Sequence, residues 1–118
     1  MKRTILIAED EEKMGRVLEV NLQDQYRVLL AKDGEEAIEK VSVFKPDLIS
    51  LDIKMPVMDG IEALKRIRER DRRLPIILCS AYGEYKQDLT TWASDAYVVK
   101  SADLTNFKST IRKLLGLS

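Results

Sequence analysis

The sequence predicts an α/β fold: an open, five-stranded parallel sheet with helices on both faces. Two observations carry that expectation. Short apolar runs alternate five times with amphipathic stretches along 118 residues, and parallel strands need crossover helices to join them. Acidic, hydroxyl and basic residues stand where four of the apolar runs end, and sheets of this class bind ligands outside the carboxyl ends of their strands.

Residues 4–8 read as a buried strand, with Glu9 and Asp10 directly after it. Residues 11–24 form a helix that carries Leu18 and Leu22 on one face, and residues 27–31 a second strand. Asp33 is a good N-cap for the next helix. Glu35 and Glu36 suit its positive end, and Ala37, Ile38 and Val41 supply its apolar stripe. Residues 47–51 are strand three, ending on Asp52. Asp59-Gly60 reads as a turn, and Ile61, Leu64 and Ile67 mark the helix behind it. Residues 75–79 are strand four, followed by Ser80; residues 85–92 suggest a short fourth helix; residues 96–99 are strand five, followed by Lys100. Leu104, Phe107, Ile111, Leu114 and Leu115 form a final helical stripe.

The length fits one domain, residues 1–118, able to bury a sizeable core without staples. Twenty basic residues balance 20 acidic ones, so no global field favours nucleic acid or an anionic membrane. No signal peptide or membrane-spanning run is apparent. The single Cys79 sits in an apolar run and reads as a buried small hydrophobe, which fits a reducing, cytoplasmic setting. With no histidine, the chain has no His general base, His metal ligand or phosphohistidine of its own. The basic run from Lys65 to Arg73, interleaved with Glu69 and Asp71, reads as a solvated helix face.

Glu9, Asp10 and Asp52 would bring like charges together, and each pair at ~4 Å repels by roughly 4 kcal/mol at an effective dielectric of about 20. A hard divalent cation is the economical remedy, and all-oxygen ligands suit Mg²⁺ (or Mn²⁺). Asp10, Asp52 and the backbone carbonyl near Lys54 could hold it. Lys100 would set a mobile positive charge, and Ser80 a hydroxyl, against a phosphoryl group. A carboxylate can attack phosphorus to form an aspartyl phosphate, with positioning and charge neutralisation as the main sources of catalysis.

Four motifs then carry a resemblance over nearly the whole chain. They are Ile5-Leu6-Ile7-Ala8-Glu9-Asp10-Glu11, Leu51-Asp52-Ile53-Lys54-Met55-Pro56-Val57-Met58-Asp59-Gly60, Pro75-Ile76-Ile77-Leu78-Cys79-Ser80-Ala81 and Asp95-Ala96-Tyr97-Val98-Val99-Lys100. In this order they resemble the receiver (CheY-like) domain of the two-component response regulator family. The resemblance implies a flavodoxin-like (βα)5 three-layer sandwich with strand order 2-1-3-4-5, for which the family supplies a standard example. It implies that Asp52 accepts a phosphoryl group from a partner's phosphohistidine, on a sensor histidine kinase or a histidine phosphotransfer protein. Asp10 and Asp52 would bind Mg²⁺ directly and Glu9 through water. Ser80 and Lys100 would grip the phosphoryl oxygens, and Tyr97 would be the switch aromatic that follows Ser80 inward. Large side chains at Lys54 and Tyr82 would limit water access, which implies slow self-dephosphorylation.

The chain departs from the family pattern in places. Glu9 stands where Asp is commoner, Ser80 where Thr is common, and Ala93 where Gly is usual. Ser101 replaces the proline that often follows the site lysine, which favours a trans Lys100-Ser101 bond. The stretch between Ser80 and Tyr97 is shorter than in typical members. Met14 and Val17, three apart on the first helix beside the site, are a candidate dock for a partner's helical bundle; the bland alternative is that they widen the core stripe.

The resulting expectation is a stand-alone phosphoryl-accepting switch with no output domain. Mg²⁺-dependent phosphoryl transfer to Asp52 would change the surface around the fourth helix, fifth strand and last helix for a downstream protein target, alongside slow Mg²⁺-dependent self-phosphorylation and autodephosphorylation. No direct nucleic-acid contact or membrane insertion is expected. Two alternatives use the same fold. A metal-dependent aspartyl-phosphate phosphatase would place its Asp-x-Asp after strand one, where Glu9-Asp10-Glu11 stands. A small-molecule binding module would want a Gly-rich, NH-lined loop there, and the acids oppose an unchelated phosphate.

Overall fold

A computed structural model describes residues 1–81 and 93–117. Chain order is β1 (Arg3–Ala8), α1 (Glu12–Leu22), β2 (Tyr26–Ala31), α2 (Gly34–Phe44), β3 (Leu48–Asp52), α3 (Gly60–Arg70), β4 (Ile76–Ser80), β5 (Ala96–Val99) and α4 (Thr105–Leu114). All strand pairs are parallel, in the order β2-β1-β3-β4-β5. This is the predicted flavodoxin-like arrangement. The expected helix over 85–92, with Tyr82, Tyr85 and Trp92, lies outside the described residues.

The sheet divides the core in two. Ile5, Ile7, Leu48, Ile77, Cys79 and Val98 pack with Leu18, Leu22, Phe107 and Ile111 of α1 and α4. Leu6, Ala8, Ile49, Leu51, Ile76 and Leu78 pack with Ala37, Ala63, Leu64 and Ile67 of α2 and α3. Successive strand residues face opposite sides, so these buried strands read as continuous apolar runs rather than alternating ones. The same alternation positions the polar residues at the strand ends. Glu9, Asp52 and Lys100 continue the α1/α4 side; Ser80 continues the α2/α3 side.

Local boundaries differ from expectation where the ladder decides them. β3 and β4 each run one residue further, because Asp52 pairs with Cys79 and Ser80 with Val99. Both residues are therefore held by strand backbone rather than by a loop. Asp59 is not simply a turn residue: its Oδ1 accepts from the Glu62 N–H at 2.9 Å, capping α3, and Gly60 is the first helical residue. Asp33 caps α2 as expected, accepting from Glu36 N at 2.8 Å. Arg68 departs from the solvated-face reading. Its guanidinium is mostly buried and donates to the carbonyls of Ala93 and Leu74, each at 2.6 Å, and to Asp95 Oδ2 at 2.7 Å. A guanidinium fork can satisfy several backbone carbonyls at once, which ties α3 to the entrance of β5. Among the described residues no peptide bond is cis, so Lys100-Ser101 is trans.

Val57 has φ 66°, in the left-handed region, where a β-branched residue is a genuine outlier. Its side chain is 77% exposed, so little packing offsets the strain. Val57→Gly should therefore raise stability by about 1 kcal/mol, the steric relief exceeding glycine's entropic penalty. Urea midpoints compare the two; an unchanged or lower midpoint would place the strain below that penalty.

Candidate functional site

The last residue of β3 and the residues directly after β1 and β5 converge through one ammonium. Lys100 Nζ lies 2.7 Å from Glu9 Oε1 and 2.7 Å from Asp52 Oδ2. The two carboxylates are almost fully buried, with side chains 3% and 7% exposed, while Lys100 is 25% exposed. Its backbone is fixed as well, since Lys100 N donates to the Ser80 carbonyl at 2.7 Å. The remaining carboxylate oxygens meet backbone amides: Glu11 N donates to Glu9 Oε2 at 3.2 Å, and Lys54 N to Asp52 Oδ1 at 3.3 Å. The chain thus turns tightly around Asp52 as it leaves β3.

Asp10 completes the cluster from the exposed side. One oxygen from each of Glu9, Asp10 and Asp52 lies within 4.8 Å of the others. Three carboxylates stand against one ammonium, an excess of two negative charges. A bound divalent cation would match that deficit, and the oxygen-only donor set suits Mg²⁺. Burial pushes the Glu9 carboxyl above its ordinary range, with the neighbouring Asp52 adding to the effect and Lys100 opposing it. Burial pulls Lys100 down, but its hydrogen bonds to Asp52 and Glu9 outweigh this and hold it above the usual lysine value.

The other predicted residues fall around this centre. Ser80 is buried at the end of β4. Tyr97 is half-buried against the α2/α3 core, two residues before the Val99 that pairs with Ser80. Ser80 and Tyr97 therefore sit on the same sheet face, on neighbouring strands. The Lys54 side chain is exposed on the loop after β3. Of the apolar pair on α1, Met14 is half-buried against the core, whereas Val17 is 49% exposed. Cys79 is buried as predicted; burial pushes its thiol up to about 12, while a 3.2 Å hydrogen bond with Ser50 Oγ opposes the shift.

Two features escaped the sequence reading. The Glu9–Lys100 ion pair was not anticipated, although the alternation through Ile5 and Ile7 already points Glu9 toward the Asp52 side. The other is the close approach of Gly60 to the backbone of Asp52 and Ile53. Only the identity of the residue, a glycine at a helix start, hinted at that.

Comparison with known proteins agrees with this geometry. The family described as Response regulator receiver domain matches residues 5–112. Sporulation initiation phosphotransferase F of Bacillus subtilis is 33% identical over 120 residues, spanning 99% of this chain and 97% of that protein. Alkaline phosphatase synthesis transcriptional regulatory protein PhoP of Bacillus subtilis is 42% identical over 85 residues, but this chain spans only 35% of its length. Among solved structures, response regulator TrrA of Thermotoga maritima in complex with Mg²⁺-BeF is 40% identical. Its TM-score is 0.90, and the match covers 97% of this chain and 99% of that one. TrrA in complex with histidine kinase ThkA matches with a TM-score of 0.88 at 40% identity, over 98% of this chain and 99% of that one.

Proposed function

Because this chain belongs to the response regulator receiver family and is a two-component receiver domain, we propose that Asp52 is its phosphoacceptor. The observation that carries the reading is the buried Glu9–Lys100–Asp52 arrangement beside exposed Asp10. A partner histidine kinase or histidine phosphotransfer protein supplies the phosphoryl group. TrrA, which this chain resembles, has been seen bound to a histidine kinase, and the exposed Val17 with neighbouring Met14 gives α1 an apolar dock for such a bundle. Cytoplasmic residence fits this role; among the described residues no helix is long and apolar enough to cross a membrane.

Asp10 and Asp52 are assigned as direct Mg²⁺ ligands together with the Lys54 carbonyl, and Glu9 as a ligand through water. When bound, the ion neutralises carboxylate charge and the charge that develops on the phosphoryl oxygens. The protein's own part is positional. An Asp52 carboxylate oxygen attacks the phosphorus as the P–N bond to the partner's histidine breaks and the imidazole leaves. Lys100 changes partners from Asp52 to a phosphoryl oxygen while keeping Glu9. Ser80 donates its hydroxyl to the same group. Ser80 and Tyr97 share a sheet face, so movement of Ser80 opens room that Tyr97 can fill. That shift alters the surface around β5 and α4, which a downstream protein reads. Phosphorylation adds roughly −1.5 to −2 charges, and coupling of this kind is typically worth about 1–3 kcal/mol.

Incubating the protein with Mg²⁺ and a small phosphodonor tests the assignment. One acid-stable, base-labile phosphoryl group per chain should form, and Asp52→Asn should abolish it. Multiple turnover of phosphate esters, or an adduct that survives Asp52→Asn, would overturn it. Lys54 stands two residues after Asp52, and its long side chain would restrict attacking water there, so Lys54→Ala should speed loss of the phosphoryl group several-fold. A half-life equal to wild type would remove Lys54 from that role.

A further inference from the structure

A cavity of about 240 Å³ lies between α1, α4 and the α1/α4 side of the sheet, directly under the ion-paired cluster. Its walls are apolar: Met14 and Leu18 come from α1, Leu104 from the cap just before α4, Phe107 from α4, and Val98 from β5. Its floor is Ser50 and Cys79, whose hydroxyl and thiol share one hydrogen bond at 3.2 Å. Glu9, Asp52 and Lys100 line the end nearest the strand termini, and Asp103 and Asn106 line its rim.

We propose that this cavity binds a small cationic amphiphile of the arylalkylamine class, with its ring inside and its ammonium at the Asp103 rim. Size comes first. An apolar cavity of roughly 150 Å³ takes benzene, so this one suits roughly ten non-hydrogen atoms. The interior asks for an apolar body, because its walls are aliphatic or aromatic. The head is set by charge. Glu9, Asp52 and Asp103 oppose one cation, Lys100, and that cation is already engaged by two carboxylates at 2.7 Å. An anionic head would meet uncompensated acids, whereas an ammonium relieves them. Asp103 is available at the mouth: its carboxylate caps Thr105 N through Oδ1 at 2.9 Å and is otherwise exposed.

Binding is read on the full, unphosphorylated chain in chelator, so the result does not depend on phosphoryl chemistry. Backbone amide shifts of Leu18, Val98 and Phe107 are followed by NMR during titration with 2-phenylethylamine, 2-phenylethanol and phenylacetate. The amine should give saturable shifts at these residues and bind at least tenfold more tightly than the carboxylate, with the alcohol between them. Leu104→Phe, at a half-buried wall position, should weaken the amine at least tenfold; Leu18→Phe repeats the test from the opposite wall. Exposed Asp103→Asn should cut the amine's advantage over the alcohol several-fold. Absence of saturable shifts would leave water as the occupant and overturn the proposal. So would a carboxylate that binds as well as the amine, or filling variants that fold and bind the amine unchanged.

Discussion

Replacing Lys100 by Met is expected to lower stability in chelator by about 2–3 kcal/mol, and Mg²⁺ should then stabilise the variant more than the wild type. The reasoning starts from burial. Glu9 and Asp52 are nearly inaccessible, and Lys100 is the cation that both contact at 2.7 Å. Taking one partner from a buried ion pair leaves uncompensated charge, an effect of about 3–5 kcal/mol in fully buried cases. Here it is reduced because Lys100 is 25% exposed and water can enter its place. Methionine keeps most of the aliphatic stem, so the loss reports charge rather than packing. Glu9 Oε1 and Asp52 Oδ2 become available in the variant, and a divalent cation takes over the neutralising role. Saturation at about 100 times Kd contributes about 2.7 kcal/mol, enough to recover the deficit. Urea unfolding with chelator and with Mg²⁺ checks both halves. Equal stability of the two proteins in chelator would show that the pair contributes nothing net. A deficit that Mg²⁺ does not reduce would remove Glu9 and Asp52 from the cation site.

The fold was legible because the inner strands β1, β3 and β4 are buried on both faces along most of their length and each helix on one. Those two periods separate cleanly along a chain with no long linker. The site was legible because its residues are strand ends, where an apolar run stops on a charged or hydroxyl residue. What stayed hidden depends on contact rather than pattern. Arg68 lies in a run of exposed basic residues and looks like its neighbours in sequence, yet it alone of the set reaches the carbonyls of Leu74 and Ala93. Asp59-Gly60 has turn composition, and its capping role emerges only once α3 is seated against β3. Glu9 could be placed after strand one but not paired, because its partner is 91 positions away and enters from the opposite side of β3.

Gly60→Ala should have the largest structural effect of any single methyl addition near the site: a loss of about 3 kcal/mol and at least a tenfold drop in phosphoryl uptake. A Cβ at Gly60 would press on the Asp52 carbonyl oxygen inside van der Waals contact, 2.8 Å from the carbonyl carbon and 3.0 Å from Ile53 Cα. All three are backbone atoms, so no side-chain rotation relieves the clash. The same residue anchors the loop through its N–H, which donates to the Ile53 carbonyl at 2.9 Å. Either the start of α3 retreats and that bond is lost, or the end of β3 moves and carries Asp52 from Lys100. The first route destabilises, the second disables the acceptor, and backbone continuity makes them mix. Asp59→Ala provides the control. It removes one capping hydrogen bond, worth about 1 kcal/mol, but adds nothing against Asp52, so phosphoryl uptake should stay near wild type. If Gly60→Ala matched Asp59→Ala in both measurements, α3 would be loosely seated and its packing could not be what holds the acceptor strand in place. If the two separate as expected, the absent side chain at Gly60 is what lets the helix brace the strand that presents Asp52.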